Sequence, residues 1–223
     1  MPNEMNNILT LDADSNIETQ QSKEDLIWHE ITNAYRTRRI LTGTLGGIER
    51  LEGGATIAII YYKNFRVVIP ITEMMIHLIE DEAHNYGEIS LRQNKIVNTM
   101  LGCEIDFIIK GLDSKTRSIA ASRKDAMLKK RQIFYLDQDV SGNHKIYEDR
   151  VVQARVIAVA AKVVRVEIFG VETSIPARDL SFDWLGDANE RFHVGDHILV
   201  RILDVQAEDP EHISVKADVK SVE

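Results

Sequence analysis

Tyr62, Lys63 and Arg66 put an aromatic ring, an ammonium and a guanidinium within one short stretch. A ring flanked by cations can stack on flat π-systems and pair with phosphate, which is binding chemistry and makes no bonds. Further bases stand at Arg117, Arg123 and Lys124, and again at Lys162, Arg165, Arg178 and Lys216. Phe182 and Trp184 lie just beyond the third strand of the module that carries that second group, and Trp184 is expected in the core, because a small barrel needs a large residue to close it. Catalytic chemistry has no comparable set. His77 and His84 lie seven apart with Glu80 and Asp81 between them, a spacing suited to a solvated acidic face rather than a closed zinc site. His193 and His197 flank Gly195 at a strand start, where residues four apart do not meet. No phosphate-cradling glycine loop, cysteine pair or nucleophile motif is present. The expectation is a binding protein with no enzymatic activity, no cofactor and no metal.

Strands must position these residues. Ile40 to Glu49 reads as a first strand bent at Gly43, Gly46 and Gly47, and Thr56 to Tyr62 as a second. Lys63 and Asn64 form a two-residue hairpin leading to a third strand over Phe65 to Ile69, ended by Pro70. Tyr61 and Tyr62 alternate, and taking Ile57 and Ile59 as core turns Tyr62 outward beside Arg66. One or two short helices are expected between Met74 and Met100, where Met75, Leu78 and Ile79 form one apolar group and Ile96, Val97 and Met100 another.

The region from Leu101 to Lys124 returns near the C-terminus as Val194 to Ala217. Gly102 is followed by Ile105, Phe107 and Ile109, and Gly195 by Ile198, Val200 and Ile202 at the same offsets. Period-two apolar residues after a glycine mark a strand leaving a tight turn, and Ile119 and Ile213 mark a second short strand in each copy. The prolines repeat too: IPITEM at Ile69 to Met74 is echoed by IPARDL at Ile175 to Leu180. In the second module, strands are predicted over Val151 to Val159, Val163 to Ile168 and Val171 to Ile175. Between the modules, Arg123 to Leu136 reads as a helix with Lys129, Lys130 and Arg131 exposed, followed by the turn Ser141 to His144.

The resulting fold class is mainly β with helical additions: two five-stranded OB-type barrels joined by a helix, with an N-terminal helix. Residues 1–21 are polar and acidic and read as a disordered tail. Ser22 opens a capping-box-like SKED, and residues 22–39 read as a helix with Ile27, Ile31 and Ala34 on its apolar face and Trp28 nearby. The first barrel is assigned to 40–124, the linker helix and turn to 125–147, and the second barrel to 148–220.

Charge bounds the function. The net charge of -8 argues against a simple basic nucleic-acid binder, yet Ile109 to Arg131 holds eight Lys or Arg against two Asp. The N-terminus is acidic where a signal peptide would be basic then apolar, and no apolar run is long enough to cross a membrane, so a cytoplasmic location with no membrane partner is expected. The single cysteine, Cys103, excludes an internal disulfide and reads as a small, partly buried side chain.

The order of strand, glycine bend, strand, hairpin and strand ending in I-P-x-x-(D/E)-(L/M), followed by a helix, a G-x-x-I strand and a closing I-S-V-K-like strand, resembles the RNA-binding domain named after ribosomal protein S1. Both modules are similar to it, over roughly residues 38–124 and 148–220. The resemblance implies single-stranded RNA binding on the face of strands two and three, with ribosome or mRNA as the setting and roles in translation or post-transcriptional regulation. The chain departs from the family at its stacking positions. Thr56 and Val163 stand where an aromatic is usual, and Pro70 and Pro176 where a histidine is usual. Tyr62, Lys63 and Arg66 are the candidate replacements in the first module; Lys162, Arg165, Arg178 and Lys216 carry charge in the second. The alternative is an interaction or scaffold protein whose barrels hold a protein partner and have little RNA affinity.

Overall fold

Alternation of side chains builds the first sheet. In β1 (Leu41–Arg50), Leu41, Gly43 and Leu45 are buried while Thr42, Thr44 and Gly46 are exposed. β2 (Thr56–Tyr62) and β3 (Phe65–Pro70) join through Lys63 and Asn64, both at positive φ as a tight hairpin requires. β4 (Glu104–Asp113) and β5 (Ser118–Ser122) complete a closed barrel of order β1-β2-β3-β5-β4. The seam is a parallel pairing of β3 with β5, Val67 opposite Ile119. Leu45, Ile60, Ile69, Ile105 and Phe107 fill the interior at 2% exposure or less. Burying each such side chain contributes about 1.5–3 kcal/mol.

The computed structural model describes residues 20–76 and 86–222. The tail over 1–19, His77, Leu78, Ile79 and His84 lie outside the described residues. Helix α1 (Gln20–Thr37) begins two residues before Ser22, which therefore sits inside the helix and does not cap it. Its apolar face docks as expected: Ile31 and Ala34 are fully buried, and Trp28 packs on Phe65 at 5.8 Å. Helix α2 (Tyr86–Thr99) lies between β3 and β4 and buries Val97, with Met100 just beyond its end.

Helix α3 (Arg123–Arg131) follows β5 directly, capped by Ser122, whose hydroxyl accepts the Asp125 N–H at 3.0 Å. A π-helical turn, Gln132–Leu136, extends it. The expectation that Lys129, Lys130 and Arg131 are all exposed holds only for Lys129. Arg131 is 3% exposed, and its guanidinium donates to the Gly170 and Pro210 carbonyls at 2.6 and 3.1 Å. The helix is wedged against two hairpins of the second sheet, which encloses that face.

The second sheet contains β6 (Val151–Ala160), β7 (Val163–Ile168), β8 (Val171–Pro176), β9 (His197–Asp209) and β10 (His212–Asp218) in the order β10-β9-β6-β7-β8. Its interior is built on Val156, Val164, Val166, Ile175, Val200 and Ile202. No ladder joins β8 to β10 among the described residues; the Val219 N–H donating to the Asp179 carbonyl at 2.9 Å bridges that side. Among the described residues no helix is long and apolar enough to cross a membrane.

The two sheets share several register positions. Leu45 exchanges backbone bonds with Gly102 and Cys103, and Val156 does so with Gly195 and Asp196. β1 bulges between Leu45 and Gly47, β6 between Val156 and Ala158. Pro70 pairs with Ile57 and Pro176 with Val163, so the repeated prolines hold one register position. The bulge residue differs in use: Ile157 is fully buried in the first barrel's core cluster, locking the sheets together.

Candidate nucleic-acid interface

The outer face of β1, β2 and β3 carries Tyr61 opposite Arg66. Tyr61 is 54% exposed. Its ring lies over Gly46, where a Cβ would come within 2.2 Å of the ring carbon Cε2, so the absent side chain leaves the space that seats the ring. Arg66 pairs with Glu49 on the same face, and both remain about half exposed. The unit is an aromatic surface beside a guanidinium.

Tyr62, expected to face outward, turns inward. It is 7% exposed, meets Phe107 edge-on at 6.0 Å, and donates its hydroxyl to Glu30 on α1 at 2.8 Å. The interior phase of β2 is Ala58, Ile60 and Tyr62, while Ile57 and Ile59 are buried on the opposite face, so alternation alone could not tell the faces apart. Burial and the Glu30 hydrogen bond both raise the Tyr62 pKa. Lys63 is exposed but held by Glu30 at 2.6 Å.

In the second sheet the same positions are closed. Glu167 and Glu172 form the cross-strand pair that matches Tyr61 and Arg66 in register, and both side chains are almost fully buried. Arg123, from the first residue of α3, donates to Glu172 at 2.7 Å, to Glu167 at 3.2 Å and to the Met74 carbonyl at 2.9 Å. Lys130 bridges Glu167 and Asp106, and Asp106 also accepts from Arg155 at 3.2 Å and from the Thr42 hydroxyl at 2.6 Å. Burial works against the charge on Arg123, yet Glu172 and Glu167 raise its pKa. Burial likewise opposes ionisation of Asp106, and Lys130, Arg155 and Thr42 outweigh it, holding the carboxyl below its ordinary value. Arg123, singled out as an RNA contact, has no exposed surface and serves the joint between the sheets.

The remaining candidates scatter. Arg117 pairs with Asp25 at 2.6 Å and covers the Trp28 ring at 5.9 Å, clamping α1. Lys124 lies 3.8 Å from Glu211 across a cleft of about 490 Å³ lined also by Ile71, Met75, Gln93 and His212. Lys216 pairs with Asp204, and Arg165 with the buried Glu172. Lys110 pairs with Asp125, so much of the basic run from Ile109 to Arg131 is neutralised within the chain. Arg178 is 85% exposed. Lys162 donates to the Gly186 carbonyl at 2.8 Å and lies 5.6 Å from the Trp184 ring centre. Trp184, expected in the core, is 88% exposed, with Phe182 also exposed. Phe192, Leu180 and Ala188 close the sheet beneath them, leaving no interior place for the indole.

The sequence reading missed Tyr61. The available signal was Gly46, which the bulge places under Tyr61 once the register is known. No group of His, Cys, Asp and Glu able to hold a metal occurs among the described residues. His193 and His197 go to separate acids, Asp196 and Glu104. Cys103 is buried, and burial pushes its thiol up to about 12, which keeps it protonated and unreactive at neutral pH.

No curated protein significantly matches the chain. A crystal structure from Streptococcus pneumoniae, described as a multidomain protein with nucleic acid binding domains, aligns at 9% identity and a TM-score of 0.32, covering 81% of this chain and 50% of that one. The chain thus spans about half the length of that structure, and a superposition of this quality supports no conclusion. Residues 145–216, which hold the whole of the second sheet up to Lys216, match the family model described as the S1 RNA binding domain.

Proposed function

We propose that this chain binds single-stranded RNA. The carrying observation is Tyr61, an exposed ring seated over Gly46 and directly across from Arg66 on the outer face of an OB-type barrel. One ring and one guanidinium are the elements that stack a base and meet its phosphate. The match of residues 145–216 to an RNA-binding family supports the reading, and we read the first barrel, whose β2–β3 pairing has the same register, as a second, diverged copy. Cytoplasmic mRNA, with the ribosome as its setting and translation or its control as the process, is the substrate class we assign. Modest affinity is expected, because most bases of the chain are already paired with its own acids. The same neutralisation, with the net charge of -8, favours the second reading, a scaffold that holds a protein partner.

Fluorescence anisotropy of labelled oligo-U and mixed-sequence RNA, titrated with the full chain at several salt concentrations, tests the proposal. Saturable binding is expected, with a log-log salt slope of about -0.7 per phosphate contact. Absence of binding at low salt overturns it in favour of the scaffold.

A further inference from the structure

The second sheet's strand face is closed only at one end. Beyond Glu167 and Glu172, the outward pairs Arg165 with Ser174 and Val163 with Pro176 lead away from the joint to the turn at Lys162. There the Ala177 N–H donates to the Lys162 carbonyl at 2.9 Å, and the Ala188 N–H to the Ala161 carbonyl at 2.9 Å, so the segment after β8 is fastened to both sides of this turn. Leu180 and Ser181 are buried, Leu185 packs on the core, and Asp187 caps the next turn by accepting the Asn189 N–H at 2.9 Å. Between these anchors Phe182, Asp183 and Trp184 form an exposed run, the two rings at 76% and 88% exposure. The indole edge rests on Gly186, where a Cβ would lie 3.1 Å from the ring, and Lys162 stands beside it.

A large aromatic held in water by an anchored loop has forgone the burial that a flexible loop could give it. Its exposed surface is set in place before any ligand arrives. We propose that Trp184, flanked by Lys162 and with Phe182 exposed two residues before it, is a stacking site for an unpaired RNA base, displaced to the corner of the second sheet because its hairpin end is sealed by Arg123. Asp179, Asp183 and Asp187 stand in the same segment, so phosphate attraction is weak here and stacking carries the contact. This site rests on the RNA reading above, but its location and its test are independent of Tyr61.

Trp28 and Trp184 are the only tryptophans, so the Trp28→Phe protein reports Trp184 fluorescence alone. Titration with unlabelled oligo-U is expected to quench that emission with the same midpoint as the anisotropy of labelled RNA. Trp184→Ala should weaken RNA binding about five- to one-hundred-fold with an unchanged salt slope, and Trp184→Phe should restore most of it. RNA binding by the Trp28→Phe protein without quenching, or full affinity in Trp184→Ala, overturns this site while leaving the RNA reading intact. No RNA binding by the unaltered chain overturns both.

Discussion

Tyr61 and Glu167 hold the same place in the two sheets: each is the fifth residue of its strand's pairing with the following strand, opposite Arg66 in one and Glu172 in the other. One position is an open aromatic and the other a buried carboxylate gripped by Arg123 and Lys130. The same backbone lattice thus presents an open aromatic face in the first barrel and a joint in the second. Cations decide between them: Arg123 and Lys130 from α3, with Arg165, offset the repulsion of Glu167 and Glu172 in that space.

The neighbouring tyrosines should separate cleanly. Tyr61→Ala is expected to lower RNA affinity by about 1–3 kcal/mol, the worth of one stacked base, with little change in stability. Tyr62→Phe removes the hydrogen bond to Glu30 and should cost about 1 kcal/mol of stability with unchanged RNA binding. Anisotropy and urea unfolding read the two effects; a loss of RNA binding in Tyr62→Phe alone would place the site inside the barrel mouth instead.

Two glycines of β1 test the seat of Tyr61. The nearest atoms to a side chain at Gly46 are those of the exposed ring, which can swing away, so Gly46→Val should weaken RNA binding as Tyr61→Ala does while the barrel stays within about 1 kcal/mol of its stability. A side chain at Gly43 meets the Tyr61 backbone carbonyl at 2.7 Å, which cannot move without breaking the ladder. Gly43→Val should therefore unfold at markedly lower urea. Equal stability of the two variants would contradict this packing.

Removing Arg123 leaves Glu167 and Glu172 buried with fewer partners. Arg123→Met is expected to destabilise by about 3–5 kcal/mol, toward the lower figure because Lys130 and Arg165 remain. The urea midpoint measures it, and a loss below about 1 kcal/mol would show that the charges are hydrated in solution.

Acid should open the joint with a defined sign. The Asp106 carboxyl is held below its ordinary value of 3.8, so its contribution is complete above that value and is lost as pH falls through the depressed folded value. Wild-type stability should fall more steeply below about pH 4 than that of Asp106→Asn, which lacks this titration. Parallel pH profiles for the two proteins would remove Asp106 from the linkage.

Much of the architecture was legible along the chain. Alternation of Ile105, Phe107 and Ile109, the Lys63 and Asn64 hairpin, and the repeated prolines each reflect local geometry, in which side-chain period and turn conformation follow from neighbouring residues. Those signals placed the strands within a residue or so and the two sheets in the right class. The site residues depended on what lies across the fold. Strand β2 is apolar on both faces, so only the packing of its barrel could say that Tyr61 faces out and Tyr62 in. Arg123 reads as a surface base until Glu167 and Glu172, more than 40 residues later, are brought against it. Trp184 reads as core until Leu180, Ala188 and Phe192 are seen to fill that interior first. Charge pairing and occupancy of the core are long-range competitions for the same space, and only the tertiary structure decides which residue takes it.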